Sequence, residues 1–313
     1  MVPGPLPAVA ILIYRRPALV RELLVCLREA RPKRLWILAD GPKKDQGAGE
    51  EGLCRSAREE AEKGITWGCE VKKVYATENL GLKRGVETGL DAVFAEEQEA
   101  MILEEDCHPS PDFFPFCAEM LARYREEPKV AAISGNCFLP QDMAVASDYF
   151  FSRYLHIWGW ATWARTWNSY DRNRWQWPQK GFGAYFPDAD TVEKQYWNRI
   201  YERVRTGEIQ TWDYPWVAHL WSQGWVSITP SQNLVANRGF GPEATNTKDM
   251  GVSVGIERQE KMRPPYRGPV GGIRANPIVE QAVFRNHFLR TQGRRNLWQK
   301  LRDRIFGKGA KPI

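Results

Sequence analysis

Over its first 135 residues the chain alternates short β-rich apolar runs with stretches of helical periodicity, and this alternation restricts the fold more than any other feature. AVAILIY leads into PALVRELLVCLREA, where Leu19, Leu23, Leu24 and Leu27 fall on one helical face. RLWILAD precedes a charged helical stretch near residues 47 to 63, and CEVKKVYA precedes Leu82, Val86, Leu90, Val93 and Phe94 at helical spacing. EAMIL, an aromatic helix beginning near Asp112 and KVAAISG complete the series. Repeated strand-helix pairs pack as an α/β layer: a mostly parallel central sheet with helices on both faces.

Ligands of such sheets gather at the carboxyl ends of the strands. The residues expected there are Tyr14-Arg15-Arg16-Pro17, Asp40-Gly41-Pro42, Asn79-Leu80-Gly81 and Glu104-Glu105-Asp106, a concentration of polar groups along one edge. Neither GxGxxG nor GxxxxGK[ST] follows the first strand, which removes the main support for a dinucleotide enzyme, a Rossmann methyltransferase or a P-loop NTPase. Phosphate must be held in another way.

With 313 residues, 43% of them hydrophobic, the chain has enough apolar surface for one large domain or two packed halves. A formal charge of +6 favours anionic partners only weakly. Six cysteines without a CxxC pair predict reduced thiols in a reducing compartment, not a zinc site or a disulfide frame. PLPAVAILIY is too short to span a bilayer, and Arg15 and Arg16 follow it instead of preceding it, so a cytoplasmic protein is expected.

The composition changes near residue 140. Residues 1–140 form the strand-helix half, and 141–265 a second half in which eleven of the fourteen tryptophans fall between Trp158 and Trp225. Residues 266–313 run from a Gly- and Pro-rich linker into a basic, weakly amphipathic tail. Such a tail suits peripheral contact with anionic lipid on the inner membrane face. A nucleic-acid partner is not expected, because the tryptophan segments are not interleaved with Lys and Arg.

Three adjacent acids at the end of an apolar strand repel one another and call for a positive partner. Mn²⁺ or Mg²⁺ fits, since these ions take one or two protein carboxylates and leave their other positions to water and substrate phosphate. The same acids would also serve to cap the helix near Asp112 or lie solvated in a loop. His108 lacks an HxxxH-type partner and reads as a loop histidine.

The run ATENLGLKRGVETGLDAVFAEEQEAMILEEDCHPSPDFF, Ala76 to Phe114, resembles the core of metal-dependent glycosyltransferases of the GT-A fold, including family 2-like bacterial enzymes and N-acetylglucosaminyltransferase I. With YRRP and ADGP the resemblance covers residues 8 to about 135. It implies that Asp106 binds the metal and that Glu105, within the Glu104-Glu105-Asp106 motif, contacts the ribose or donor sugar. It further implies that Arg15 and Asp40 hold the base, while Asn79, Gly81 and Lys83 close over the nucleotide. Glu105 departs from the Asp usual at its place. Taken singly, the same residues also read as a solvated arginine pair before an N1 proline and as ordinary turns.

Later, IWGWATWARTW is similar to the GW-containing segment of these enzymes, and TWDYPW to the segment that supplies their base, which makes Asp213 the candidate base. Asp213 reads equally as an N-cap of the helix that follows. NLVANRGFGPEATNT resembles a C-terminal loop that closes over the donor. Asn246 stands there where relatives offer a histidine, and Arg238 is placed to assist the diphosphate. Most tryptophans read as core; the WGW turn around Gly159 is the exception expected to let a ligand approach the backbone.

The expected activity is transfer of a sugar from a nucleoside-diphosphate donor, a UDP-sugar favoured, to a hydroxyl of a glycan or lipid-linked acceptor with inversion. The alternatives are a sugar nucleotidyltransferase and a non-catalytic carbohydrate-binding protein.

Overall fold

A computed structural model describes residues 6–172, 180–239 and 262–289. In the first half, β1 (Ala8–Ile13), α1 (Pro17–Ala30), β2 (Arg34–Ala39), α2 (Gly47–Gly64), β3 (Glu70–Tyr75), α3 (Gly81–Glu96) and β4 (Glu99–Glu104) follow the expected alternation. Then come β5 (Cys107–Pro109), α4 (Phe113–Arg123), β6 (Val130–Ser134), β7 (Tyr149–Ser152), β8 (Trp160–Trp163) and α5 (Ala164–Trp167). The remaining elements are α6 (Thr191–Arg205), α7 (Asp213–Ser222), β9 (Val226–Pro230), β10 (Val235–Asn237) and α8 (Pro277–Val283), the last running into a π-helical turn, Phe284–Leu289.

Eight strands form one sheet in the order β3-β2-β1-β4-β8-β6-β9-β7. β1, β2, β3 and β4 pair in parallel, and β6 pairs in parallel with β9. β8 is antiparallel to both β4 and β6, and β7 is antiparallel to β9, so all strands but β7 and β8 run in one direction. The tryptophan-rich half therefore contributes β7, β8 and β9 to the same sheet as the first half. β5 and β10 form a separate antiparallel ribbon.

Alternation along the strands gives the sheet two apolar faces, as its period of two requires. Val9, Ile11, Met101 and Leu103 pack with α1, α2 and α4 on one side. Ala8, Ala10, Ala100 and Ile102 pack with α3, α6 and α7 on the other. On α1 the buried stripe is Val20, Leu23, Leu24 and Leu27, at i, i+3, i+4 and i+7, with Val20 taking the place expected for the half-buried Leu19. Pro17 opens this helix, and Arg31, left-handed at φ 51°, closes it through its amide to the Leu27 carbonyl. Leu82, in the first turn of α3, is 40% exposed because it sits at the mouth of a cavity instead of in the core.

The tryptophans are chiefly core. Trp160, Trp163, Trp167, Trp197, Trp212, Trp216 and Trp221 are each no more than 3% exposed, and Trp160 stacks on Trp212 with ring centroids 5.7 Å apart. Gly159 is left-handed at φ 72°, but what its missing side chain makes room for is Val235, whose Cγ2 would lie 2.8 Å from a Cβ there. At Gly159 itself the close approach serves packing, while Trp158 of the same turn lines the cavity. The six cysteines are free, and Cys54, Cys107 and Cys117 are buried. Among the described residues no helix is long and apolar enough to cross a membrane. The basic tail from residue 290 lies outside the described residues.

Candidate functional site

A cavity of about 850 Å³ opens along the carboxyl ends of β1, β2, β3 and β4. Its wall brings together Arg16, Asp40, Asn79, Gly81, Glu104, Glu105, Asp106 and Asp213, so residues far apart in the sequence meet around one space.

The cation that the acidic cluster calls for is partly supplied by the chain itself. Arg16, at the N-cap position of α1, reaches Glu105 Oε1 with Nε at 2.5 Å and Asp106 Oδ2 with Nη2 at 2.9 Å. The second oxygen of Glu105 accepts from the Tyr14 amide at 2.7 Å. With each oxygen accepting one bond and 4% exposure, Glu105 supports Arg16 and the β1–α1 turn while lining the cavity. Burial lifts its carboxyl above the usual range despite the Arg16 charge. The three acids do not cap α4, because β5 intervenes and that helix begins at Phe113 behind Asp112.

Arg15 turns the opposite way. Its Nη1 lies 2.9 Å from Glu50 of α2, which also accepts from the Tyr14 hydroxyl, and it does not line the cavity. Of two adjacent arginines the structure sends Arg16, not Arg15, to the site. Lys83 likewise lies off the cavity wall, on the first turn of α3. Arg238 is directed to Glu22 at 3.1 Å with its side chain 53% exposed, so it does not reach the acid cluster. Asn246 lies outside the described residues.

Asp40 lines the cavity but is occupied by a loop. Its Oδ1 accepts from the amides of Gly41 and Leu80, each at 2.8 Å, and its Oδ2 from Asn79 Nδ2 at 2.9 Å and the Gly81 amide at 3.2 Å. Four donors fill the acceptor sites of a carboxylate. Asp40 thus shapes the loop between β3 and α3, and the base contact implied for it has no free oxygen to use. Asn79 Nδ2 is also held by the Gly41 carbonyl at 3.0 Å, and Gly81 takes the left-handed φ of 76° that the turn into α3 requires.

Asp213 is the first residue of α7, behind Trp212, so it is not the N-cap. The Thr211 hydroxyl donates to its Oδ1. Burial raises its carboxyl above the ordinary aspartate value, opposed by the Thr211 hydroxyl and the Tyr214 amide. Glu104 is pushed well above the usual carboxylate range, first by burial and then by Asp106, with Asp213 adding to it and Arg16 opposing. Asp213, from α7, and Glu104, at the end of β4, line the same cavity.

Asp106 Oδ1 is buried and makes no hydrogen bond among the described residues. No group of three His, Cys, Asp or Glu side chains suited to a metal occurs among the described residues. A divalent cation at Asp106 would therefore draw most of its coordination from ligand oxygens and water, which is the usual habit of Mg²⁺ and Mn²⁺. The ribbon of β5 and β10 delivers the chain to this spot. The Arg238 amide bonds the Asp106 carbonyl at 2.8 Å, and a Cβ on Gly239 would lie 2.1 Å from Asp106 Oδ2. Asn136 holds the ribbon by donating to the Val235 carbonyl at 2.8 Å.

Gly239 lies in the NLVANRGFGPEATNT segment and Thr211 opens TWDYPW, but only the fold gives these two residues and Arg16 their places beside Asp106 and Asp213.

No protein-family profile matches the chain, and no curated protein does. Among the solved structures that align with it, two are described by name. UDP-glucose pyrophosphorylase complexed with UDP-glucose aligns at 11% identity over 52% of this chain and 78% of that one, with a TM-score of 0.31. The inositol-1-phosphate CTP transferase from T. maritima aligns at 10% identity over 72% of this chain and 86% of that one, with a TM-score of 0.38. Likenesses this remote say nothing of what the chain binds.

Proposed function

We propose that the cavity binds a nucleoside-diphosphate sugar, a UDP-sugar favoured, and that the protein is a metal-dependent glycosyltransferase that passes the sugar to an acceptor hydroxyl with inversion. The observation that carries this reading is the meeting of Asp106, with its unpartnered oxygen, and Asp213, with its raised carboxyl, in one cavity. The wall holds Asp40, Glu104, Glu105, Asp106 and Asp213 against Arg16, Lys43 and Arg203, an excess of acids that by itself repels a diphosphate. Mn²⁺ or Mg²⁺ bound at Asp106 would supply the missing positive charge to the diphosphate as it leaves.

The chain's own residues do the rest. Arg16 holds Asp106 in place, and Asp40 holds the loop of Asn79 and Gly81 against the nucleotide side. Asp213 accepts the acceptor's proton as its oxygen attacks the anomeric carbon. Docking of the basic tail on anionic lipid is proposed from its composition; liposome flotation that is unchanged on removing residues 290–313 would count against it.

A second reading, sugar nucleotidyl transfer, uses the same cavity, since a nucleotide and a metal-bound pyrophosphate would occupy the same strand ends. Opposed to it is the exit of β1, where Tyr14-Arg15-Arg16-Pro17 stands in place of a glycine-rich loop. The deciding experiment incubates the protein with Mn²⁺ and either nucleotide sugars or a nucleoside triphosphate with a sugar phosphate. Release of nucleoside diphosphate, abolished by EDTA, supports glycosyl transfer. Release of pyrophosphate supports nucleotidyl transfer, and neither product leaves a binding protein.

A further inference from the structure

The cavity divides along the sheet. Arg16, Asp40 and Asn79 follow β1, β2 and β3 on one side, and Glu104 ends β4 in the middle. Beyond it, in the direction of β6 and β7, the wall is built from the segment before β8, from α6 and α7, and from the turn after α8. Much of this far wall is apolar, through Leu155, Ile157, Trp158, Ile200, Val217 and Phe288.

Tyr196, Gln210, Thr211 and Tyr214 also line it, and several of its polar groups have partners outside the cavity. The Tyr154 hydroxyl donates to Glu193 at 2.5 Å, and Trp197 Nε1 reaches the Tyr154 hydroxyl at 3.4 Å. Arg203, nearer the α6–α7 loop, pairs with Glu208 at 2.7 Å. His287 stacks on Phe138 with centroids 3.7 Å apart and meets His156 edge-on at 5.4 Å, and burial holds both imidazoles neutral. Apart from Asp213 beside Glu104, no carboxylate among the described residues lines this wall.

A free oligosaccharide carries a hydroxyl on most ring carbons, and burying those against such a wall without partners is costly. A cavity of about 850 Å³ lies at the upper end of the roughly 300–1,000 Å³ of single-ligand sites, so it has space beyond a donor. We infer that the second substrate is an alcohol carried on an apolar group, aryl or prenyl, which packs on Leu155, Ile157, Trp158, Ile200 and Phe288 with its hydroxyl toward Asp213. The inference rests on the glycosyl-transfer reading and specifies its acceptor. In the step, the acceptor oxygen bonds the anomeric carbon and its proton passes to Asp213. The bond from that carbon to the diphosphate oxygen breaks, and the electron pair leaves with the nucleoside diphosphate.

The test is calorimetric binding of geraniol, 4-hydroxybiphenyl and lactose to the full chain, with UDP and Mn²⁺ titrated separately. At least one alcohol is expected to saturate at concentrations where lactose does not. Ile157→Asn and Ile200→Asn should each weaken the alcohol roughly tenfold or more, with UDP binding unchanged as evidence of a folded donor side. Tighter binding of geraniol or of 4-hydroxybiphenyl tells a prenyl from an aryl acceptor. Saturation by lactose alone, binding of neither alcohol, or alcohol binding untouched by both variants overturns the inference. Failure of UDP to bind a protein that still takes the alcohol strikes the donor reading instead.

Discussion

The Arg16 guanidinium stands 2.9 Å from the Asp106 carboxylate and so puts a fixed positive charge beside the acids that end β4. It also pairs with Glu105, whose side chain is 4% exposed, so removing it strands a buried carboxylate. Arg16→Gln is expected to cost roughly 3 kcal/mol of stability by urea unfolding. If Mn²⁺ binds the same cluster, it should recover part of that loss in the variant and less in the wild type.

Gly239 leaves no room for a side chain beside Asp106 Oδ2, which a Cβ would approach to 2.1 Å. Gly239→Ala must therefore displace the Asp106 carboxylate. A loss of roughly 10²-fold in kcat/KM is expected from such a misplacement, with a much smaller fall in Tm than in Arg16→Gln. Unchanged turnover and Mn²⁺ dependence would show that Asp106 has no part in the reaction.

Asp213→Asn should leave UDP binding intact and lower transfer by ~10² to 10⁴. Because burial raises the Asp213 carboxyl, its basic form is lost at a higher pH than that of a free aspartate. The acid limb of the rate profile should therefore lie above 3.8, the ordinary value. Thr211→Val removes a hydroxyl that favours the ionised form, and should move that limb further up. A limb that stays put in the Thr211 variant would detach it from Asp213.

Burial lowers His287 from 6.5 to about 4 and holds His156 well below its ordinary value. Between those limits the unfolded chain binds more protons than the folded one, so these groups withdraw stability as pH falls from 6.5 toward 4. Glu280, raised to about 7, works in the opposite sense, which makes the difference between variant and wild type the useful measure. His287→Phe keeps a ring to stack on Phe138 and should flatten the acid-side loss by about one proton, read from urea midpoints across pH.

The sequence by itself determined the alternation of strands and helices and placed Glu104, Glu105 and Asp106 at the end of β4. Those features follow from local periods: 3.6 residues for α1 and α3, two for β1 and β4. Other outcomes depended on partners distant in the chain. Tyr14, Arg15 and Arg16 leave one strand together, yet Glu50 draws Arg15 to α2 while Glu105 and Asp106 draw Arg16 to the cavity. The antiparallel insertion of β8 between β4 and β6, the burial of the tryptophans and the arrival of Gly239 at Asp106 likewise became visible only in the folded chain. Sequence spacing fixes which face a residue takes within its own element, whereas electrostatics and close packing across elements decide what that side chain meets.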